Sequence, residues 1–536
     1  MMDYPLTLVT IFERVGRLFP KVEVASRMAD RSIHHYTYGD FYRRTKKLAN
    51  ALRRAGIKKG DRVATLMWNH YGHLEAYFGI PLAEGVLHTL NLRLHPDDIA
   101  YIINHAEDRI LIVDDVLLPL YQQFADKVNL EKVIVFPLTG KKHEGPFIDY
   151  EDFIAPESEV YEYPQLDEND AAGMCYTSGT TGKPKGVLYS HRAIVLHAFA
   201  LGLGANFGVT QKDVMSPIVP MFHVNAWGIP FLGVMIGAKQ VFPGPYLDPE
   251  SLMDLFIREK VTFTAGVPTL WLGLLQVLEK NPDKAEQLRG LRLAVGGAAA
   301  PEAMIRAYDR LGMTVIHAWG MTETTPLGTV SVLKSYMEDL PEDKKYEYRA
   351  KQGIPVPFVE ARAVDDSGRE VPWDGKTMGE LQVRGPWIAA SYFKLEGSSD
   401  KWTEDGWFRT EDVVTIDEEG YVKIVDRIKD VIKSGGEWIS SVELENALMG
   451  HPAVVEAAVV AVPHPKWQER PVAVVVLKEE YRGKVTEEEL REFLRPRFAK
   501  WWLPDRIIFV DEIPKTSTGK FMKRAIREQL KDLKLD

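Results

Sequence analysis

The chain is short of cysteine: Cys175 is the only one in 536 residues. A lone thiol excludes an intramolecular disulfide framework and a thiolate zinc cluster. It fits a reducing compartment, and we expect the cytoplasm. Cationic charge is also in deficit, with 66 Lys and Arg against 76 Asp and Glu and a net charge of −10. That balance argues against a dedicated nucleic-acid binder, which needs clustered cations. It leaves room for a small anion held by local backbone amides. The opening MMDYPLTLVTIFERVGRLFP has no uninterrupted apolar core, because Asp3, Glu13 and Arg14 break it, so no secretory signal is expected. One run, 214–238, passes 25 residues without a charge. It contains Pro217, Pro220, His223, Asn225 and Pro230, which suits a buried core segment better than a membrane span. Repeats of 20 to 50 residues, a His-Glu-x-x-His zinc motif and a Gly-x-Ser-x-Gly elbow are absent as well.

What is present is a regular alternation of helix and strand. YGDFYRRTKKLANALRRAG has the apolar spacing of an amphipathic helix ended by Gly56. RVATLMW, VLHTLN and RILIVDD look like buried strands separated by helices, an order that predicts a parallel sheet covered on its faces. The rhythm resumes at AAGMCYTS, VTFTAGV, RLAVGG and TVIHAWG. From about Ile354 short alternating segments (FVEARAVD, ELQVRG, YVKIVD) predict antiparallel hairpins. After Lys429 comes a smaller α+β pattern with its own apolar faces. The expected fold is therefore α/β: a large N-terminal α/β region with parallel sheets plus a β-rich subdomain, 1–428, and a small α+β C-terminal domain, 429–536.

The most informative stretch is YTSGTTGKPKGV, 176–187, which follows an apolar strand. Its glycines, hydroxyls and two lysines are the groups that expose amides and charge to a phosphate. It is not a Walker loop: two residues separate Gly179 from Gly182, and Pro184 follows Lys183. A dinucleotide fingerprint fails at Gly202-Leu203-Gly204, where Phe207 stands at the third glycine's position.

This string resembles the phosphate loop of the acyl-adenylate-forming superfamily, which includes acyl-CoA synthetases, peptide-synthetase adenylation domains and luciferases. PMFHVNAW, GGAAAP, HAWGMTE, GELQVRGP, WFRTED, DRIKDVIKSGGEWIS and PKTSTGK follow in the family's order along nearly the whole chain. The resemblance implies an ATP- and magnesium-dependent enzyme that activates a carboxylate as acyl-AMP and passes it to coenzyme A. By position, Thr177, Ser178, Gly179, Thr180, Thr181, Gly182 and Lys185 would cradle the β- and γ-phosphates, with Thr177 also near the metal. Glu323 would bind magnesium and Thr322 the α-phosphate. Trp319 stands where the family has Tyr and would stack on adenine, with His317 and Gly320 beside it. Gly297, Ala298 and Ala299 would line the adenine and acyl pockets. Asp412 would accept from the ribose hydroxyls with help from Arg427. Here Glu411 replaces the family's glycine, so either the backbone is ordinary there or the ribose contact is altered. Lys520 would bridge carboxylate and α-phosphate, and Lys429 would be the pivot of a mobile C-terminal domain. Lys433, Gly435, Gly436 and Trp438 would serve the thiol.

For the acid, His223, counted with Lys520, Thr322, Glu323 and Lys429 among the expected catalytic residues, stands where amino-acid adenylation domains carry Asp, so an ammonium-bearing substrate is not expected. Phe222, Val224 and Trp227 make an apolar neighbourhood. PMFHVNAW is similar to the gate segment of long-chain fatty acyl-CoA synthetases, in which the indole would close the acyl tunnel. The resemblance implies a fatty acyl-CoA synthetase, with an aryl- or short-chain acyl-CoA synthetase as the alternative. Expected partners are small molecules and a second copy in a homodimer, with no nucleic acid and no transmembrane span.

Overall fold

The computed structural model describes residues 1–177, 183–395, 398–435, 437–516 and 519–535. Four sheets organise them. A seven-stranded sheet runs Ile148–Asp149, Lys132–Phe136, Asp108–Asp114, Arg62–Leu66, Val86–Thr89, Ala171–Tyr176 and Gly186–Ser190, parallel except for the last pair. Its central strands are buried on both faces, which explains their unbroken apolar texture. A nine-stranded sheet is parallel through its middle strands Val214–Pro217, Phe263–Gly266, Arg292–Val295 and Thr314–Gly320. Helices cover both sheets. The helix Tyr38–Arg54 starts at a reciprocal cap in which Thr37 and Asp40 each accept from the other's backbone N–H.

The charge-free run 214–238 is divided into the strand Val214–Pro217, a tight turn at Val224–Trp227 and the helix Ile229–Ile236. Among the described residues no helix is long and apolar enough to cross a membrane.

A four-stranded antiparallel sheet, Glu360–Val364 to Val422–Arg427, forms the β-rich subdomain. The fourth sheet is C-terminal. Val454–His464 pairs with Gln468–Leu477, which also pairs in parallel with Arg506–Phe509, and Ile432–Ser434 leads into it. Separate apolar clusters cover the two faces of this sheet, one around Leu444, Leu448 and Leu490 and the other around Ile513 and Ile526.

The segments after Ala171–Tyr176, Val214–Pro217, Arg292–Val295 and Thr314–Gly320 all leave the carboxyl ends of strands, where ligands bind in α/β sheets. The C-terminal region closes over this edge. Thr269 Oγ1 donates to Gly519 O at 3.2 Å, which delivers Lys520 to the same place.

Candidate active site

The strand ends enclose a cavity of about 540 Å³. Thr177 and Lys185, the residues expected at the phosphates, line it. Thr177 N–H donates to Lys185 O at 2.9 Å, and Lys185 N–H donates to Thr177 Oγ1 at 3.1 Å, so the glycine-rich loop is pinched at its base. Ser178, Gly179, Thr180, Thr181 and Gly182 lie outside the described residues.

Opposite this base, the strand Thr314–Gly320 has a bulge at Trp319 and Gly320, a common way to re-aim side chains beside a site. Gly320 cannot be replaced cheaply, since a Cβ there would lie 2.0 Å from Pro326 O. The following short turn carries Thr322 and Glu323, both buried and both on the cavity wall. Tyr189 OH donates to Thr322 O at 2.8 Å. Glu323 Oε1 accepts from Tyr392 OH at 2.6 Å. Carboxylate and hydroxyl oxygens from Glu323, Thr322 and Thr177 are donors of the kind magnesium takes. Among the described residues no group of three His, Cys, Asp or Glu forms a ready metal cage. One protein carboxylate completed by substrate phosphates is the usual magnesium arrangement, so the residues fit that ion.

Lys520 enters from the C-terminal region. A Cβ on Gly297 would stand 3.3 Å from Lys520 Cε. Burial, reinforced by the cation of Arg427, pulls the Lys520 ammonium down to about 8. His223 lines the same space, and burial together with nearby Lys520 lowers it to about 3, so its imidazole is neutral.

Several expected residues stand elsewhere or act differently. Asp412 is 2% exposed and is not on the cavity wall. Its Oδ2 accepts from Trp319 Nε1 at 2.9 Å and its Oδ1 pairs with Arg427 Nε at 2.8 Å. It therefore holds the indole and the guanidinium, which do line the cavity. Glu411, beside it, has φ +61°, the left-handed conformation that the family's glycine would take without strain. Its carboxylate pairs with Lys401 at 2.5 Å. Phe222 packs away from the cavity in a core cluster, its ring centroid 6.3 Å from that of Trp68, within a turn closed by His223 N–H donating to Pro220 O at 3.0 Å. Val224 and Trp227 do line the cavity.

His317 is buried behind the wall. Its Nδ1 meets Ala350 O at 3.0 Å and its Nε2 meets Ala300 N at 3.2 Å, which fixes the segment carrying Gly297. Burial lowers it to about 4, so it is neutral. Gly297 lines the cavity, whereas Ala298 is exposed and Ala299 partly so, neither on the wall.

Lys429 reaches the cavity, but Lys433, Gly435 and Trp438 do not. Lys433 is exposed, Gly435 N–H donates to Trp467 O at 2.9 Å, and Trp438 packs beside Val413, Val425 and Val431. Gly436 lies outside the described residues. In this pose the domain presents Lys520, and its other face is turned away. Tyr392 and Lys401 line the cavity although no motif spacing marks them, and Arg409 of WFRTED lines it too.

The model of AMP-binding enzymes matches residues 12–393, and that of the AMP-binding enzyme C-terminal domain matches 443–520. The chain belongs to the AMP-binding enzyme family. A long-chain-fatty-acid–CoA ligase of Thermus thermophilus is 52% identical over 99% of this chain and 97% of its own length. A 3-methylmercaptopropionyl-CoA ligase of Ruegeria lacuscaerulensis is 44% identical over 99% of this chain and 98% of its own. Among solved structures of this family, an anthranilate CoA ligase in complex with anthranoyl-AMP superposes with a TM-score of 0.86 at 27% identity, covering 99% of this chain and 98% of that one.

Proposed function

We propose that the protein is an ATP-dependent, AMP-forming fatty acid–CoA ligase. The observation that carries this reading is the meeting of Lys520 with Thr322 and Glu323 in one cavity that apolar side chains also line. In the first half-reaction a carboxylate oxygen of the acid bonds to the α-phosphorus of ATP and the bond to the β-phosphate bridging oxygen breaks, releasing pyrophosphate. In the second, the coenzyme A sulfur bonds to the acyl carbon and AMP leaves. Charge builds on the α-phosphate oxygens in the first step, and Lys520 and Thr322 would meet it. Magnesium, held by Glu323, would offset polyphosphate charge. Trp319 and Arg427, held by Asp412, would seat the nucleoside, and Lys185 would bind phosphate.

Leu201, Phe207, Val219, Val224 and Trp227 line the cavity, and His223, which lines it with them, is neutral. Such a wall suits an uncharged tail. Identity of 52% to a long-chain-fatty-acid–CoA ligase supports a fatty acid. The 44% identical ligase named for a short thioether acid, and the anthranilate CoA ligase among solved structures, support a second reading, a short-chain or aryl acid.

The reading also takes 1–428 and 429–536 as the two domains, with Lys429 as pivot, and places the enzyme in the cytoplasm as a homodimer. Pyrophosphate release measured across acids of increasing chain length, with and without coenzyme A, tests the function. Fatty acids should give the highest kcat/KM, and an aryl or three-carbon acid winning would replace the reading by the second one. Sedimentation velocity tests the dimer.

A further inference from the structure

Tyr392 carries no sequence motif, yet it joins the two halves of the nucleotide site. It is 7% exposed and lines the cavity. Its hydroxyl donates to Glu323 Oε1 at 2.6 Å. Lys185 Nζ lies 4.9 Å from its ring centroid, within cation–π range. Trp402 packs edge-on against the ring, with centroids 5.2 Å apart. Trp402 Nε1 in turn donates to Ala389 O at 2.7 Å, and Ala389 N–H donates to Glu323 O at 2.8 Å. Glu323 is thus held at its backbone and at one carboxylate oxygen by the same short segment.

We propose that Tyr392 is a positioning residue for magnesium–nucleotide binding, fixing Glu323 by one oxygen and Lys185 by its ring face. The inference rests on the assignment of Glu323 to magnesium. An ionised carboxylate has about four lone-pair sites, so one donated hydroxyl fixes its orientation and leaves capacity for a cation. Groups that hold a metal ligand in this way typically change metal affinity by about 10–100-fold when removed.

The test is calorimetric binding of a non-hydrolysable ATP analogue, in magnesium and in EDTA, to the full-length protein. In Tyr392→Phe the ring and its packing remain and only the donor is lost. The affinity gained from magnesium should fall about tenfold or more, with affinity in EDTA unchanged. In turnover, KM for ATP should rise while KM for the acid and for coenzyme A stays the same. Trp402→Phe is the structural control: it should lower the melting temperature yet keep the magnesium gain. Glu323→Gln should abolish the gain. If Glu323→Gln loses it and Tyr392→Phe keeps it, the role of Tyr392 is wrong and that of Glu323 stands. If Glu323→Gln keeps it, both assignments fall. If Trp402→Phe loses as much as Tyr392→Phe, Tyr392 is packing and not a positioning group.

Discussion

A cation in the place of Lys520 is disfavoured by its surroundings. Burial and Arg427 bring its proton affinity down to about 8, while Asp412 and Glu323 pull the other way. The charged form is the one that can meet the α-phosphate, and it is present below that value. Acyl-AMP formation should therefore decline as pH rises through about 8, measured as single-turnover pyrophosphate release. A flat profile well above that pH would speak against the role. Lys520→Ala should slow the same half-reaction by about 10²–10³ and spare thioester formation from supplied acyl-AMP. Equal loss in both would sink the assignment. Glu411 is a second case of local cost. A side chain at φ +61° strains the backbone by roughly 1–2 kcal/mol, and the pair with Lys401, on a half-exposed carboxylate, returns at most ~1 kcal/mol. Glu411→Gly should raise the melting temperature modestly; an unchanged or lower value would show that the strain is not felt. The motif strings marked the positions of Lys520, Glu323 and Glu411. They could not show that Asp412 spends its oxygens on Trp319 and Arg427, or that Tyr392 reaches Glu323 across 69 residues of sequence. Those choices depend on side-chain geometry.

Elements were legible where burial imposes a period. The strands Arg292–Val295 and Thr314–Gly320 and the helix Tyr38–Arg54 fall within the segments expected for them. The hairpin Glu23–Arg27 and Ile33–Thr37 was not foreseen. It is short and polar (IHHYT), and its partner is Lys239–Phe242, about two hundred residues further on. The turn at Val224–Trp227 could not be read from composition either. Its four residues have φ between 45° and 56°, a run of left-handed conformations ending at Gly228. Such a run costs roughly 1–2 kcal/mol per residue, less for Asn225, and persists because the neighbours impose it. It sets Trp227 against Gly296, where a Cβ would lie 3.1 Å from the indole Cη2, beside the segment that carries Gly297. An indole that lines the cavity and abuts this segment can couple acid binding to nucleotide binding. Trp227→Ala should let acid bind equally well with and without a non-hydrolysable ATP analogue. If calorimetry finds the same nucleotide-dependent gain in wild type and mutant, Trp227 is only a wall.

At the scale of the whole molecule, two sets of residues in one small domain face different ways. Lys520 is in the cavity, and Lys433, Gly435 and Trp438 are outside it. Near the junction the domain is held in this pose by discrete polar contacts. Asp426 Oδ2 accepts from Ser441 N at 2.8 Å, and Lys423 pairs with Glu443 at 2.6 Å. If Lys433, Gly435 and Trp438 serve the thiol, the domain must turn between half-reactions, and the sequence of steps is then built into the fold. Hinges are a few residues that absorb large changes in φ and ψ. Lys429 lies next to the cavity, between the last strand of the β-rich subdomain, Val422–Arg427, and the first strand of the C-terminal sheet, Ile432–Ser434. Proline there would fix φ near −65° and restrict Ile428 as well. Lys429→Pro should keep acyl-AMP formation, since the pose that presents Lys520 already exists, and should lose most of its thioesterification. Single-turnover assays of each half-reaction decide it: transfer of acyl-AMP to coenzyme A at the wild-type rate would mean that the pivot lies elsewhere.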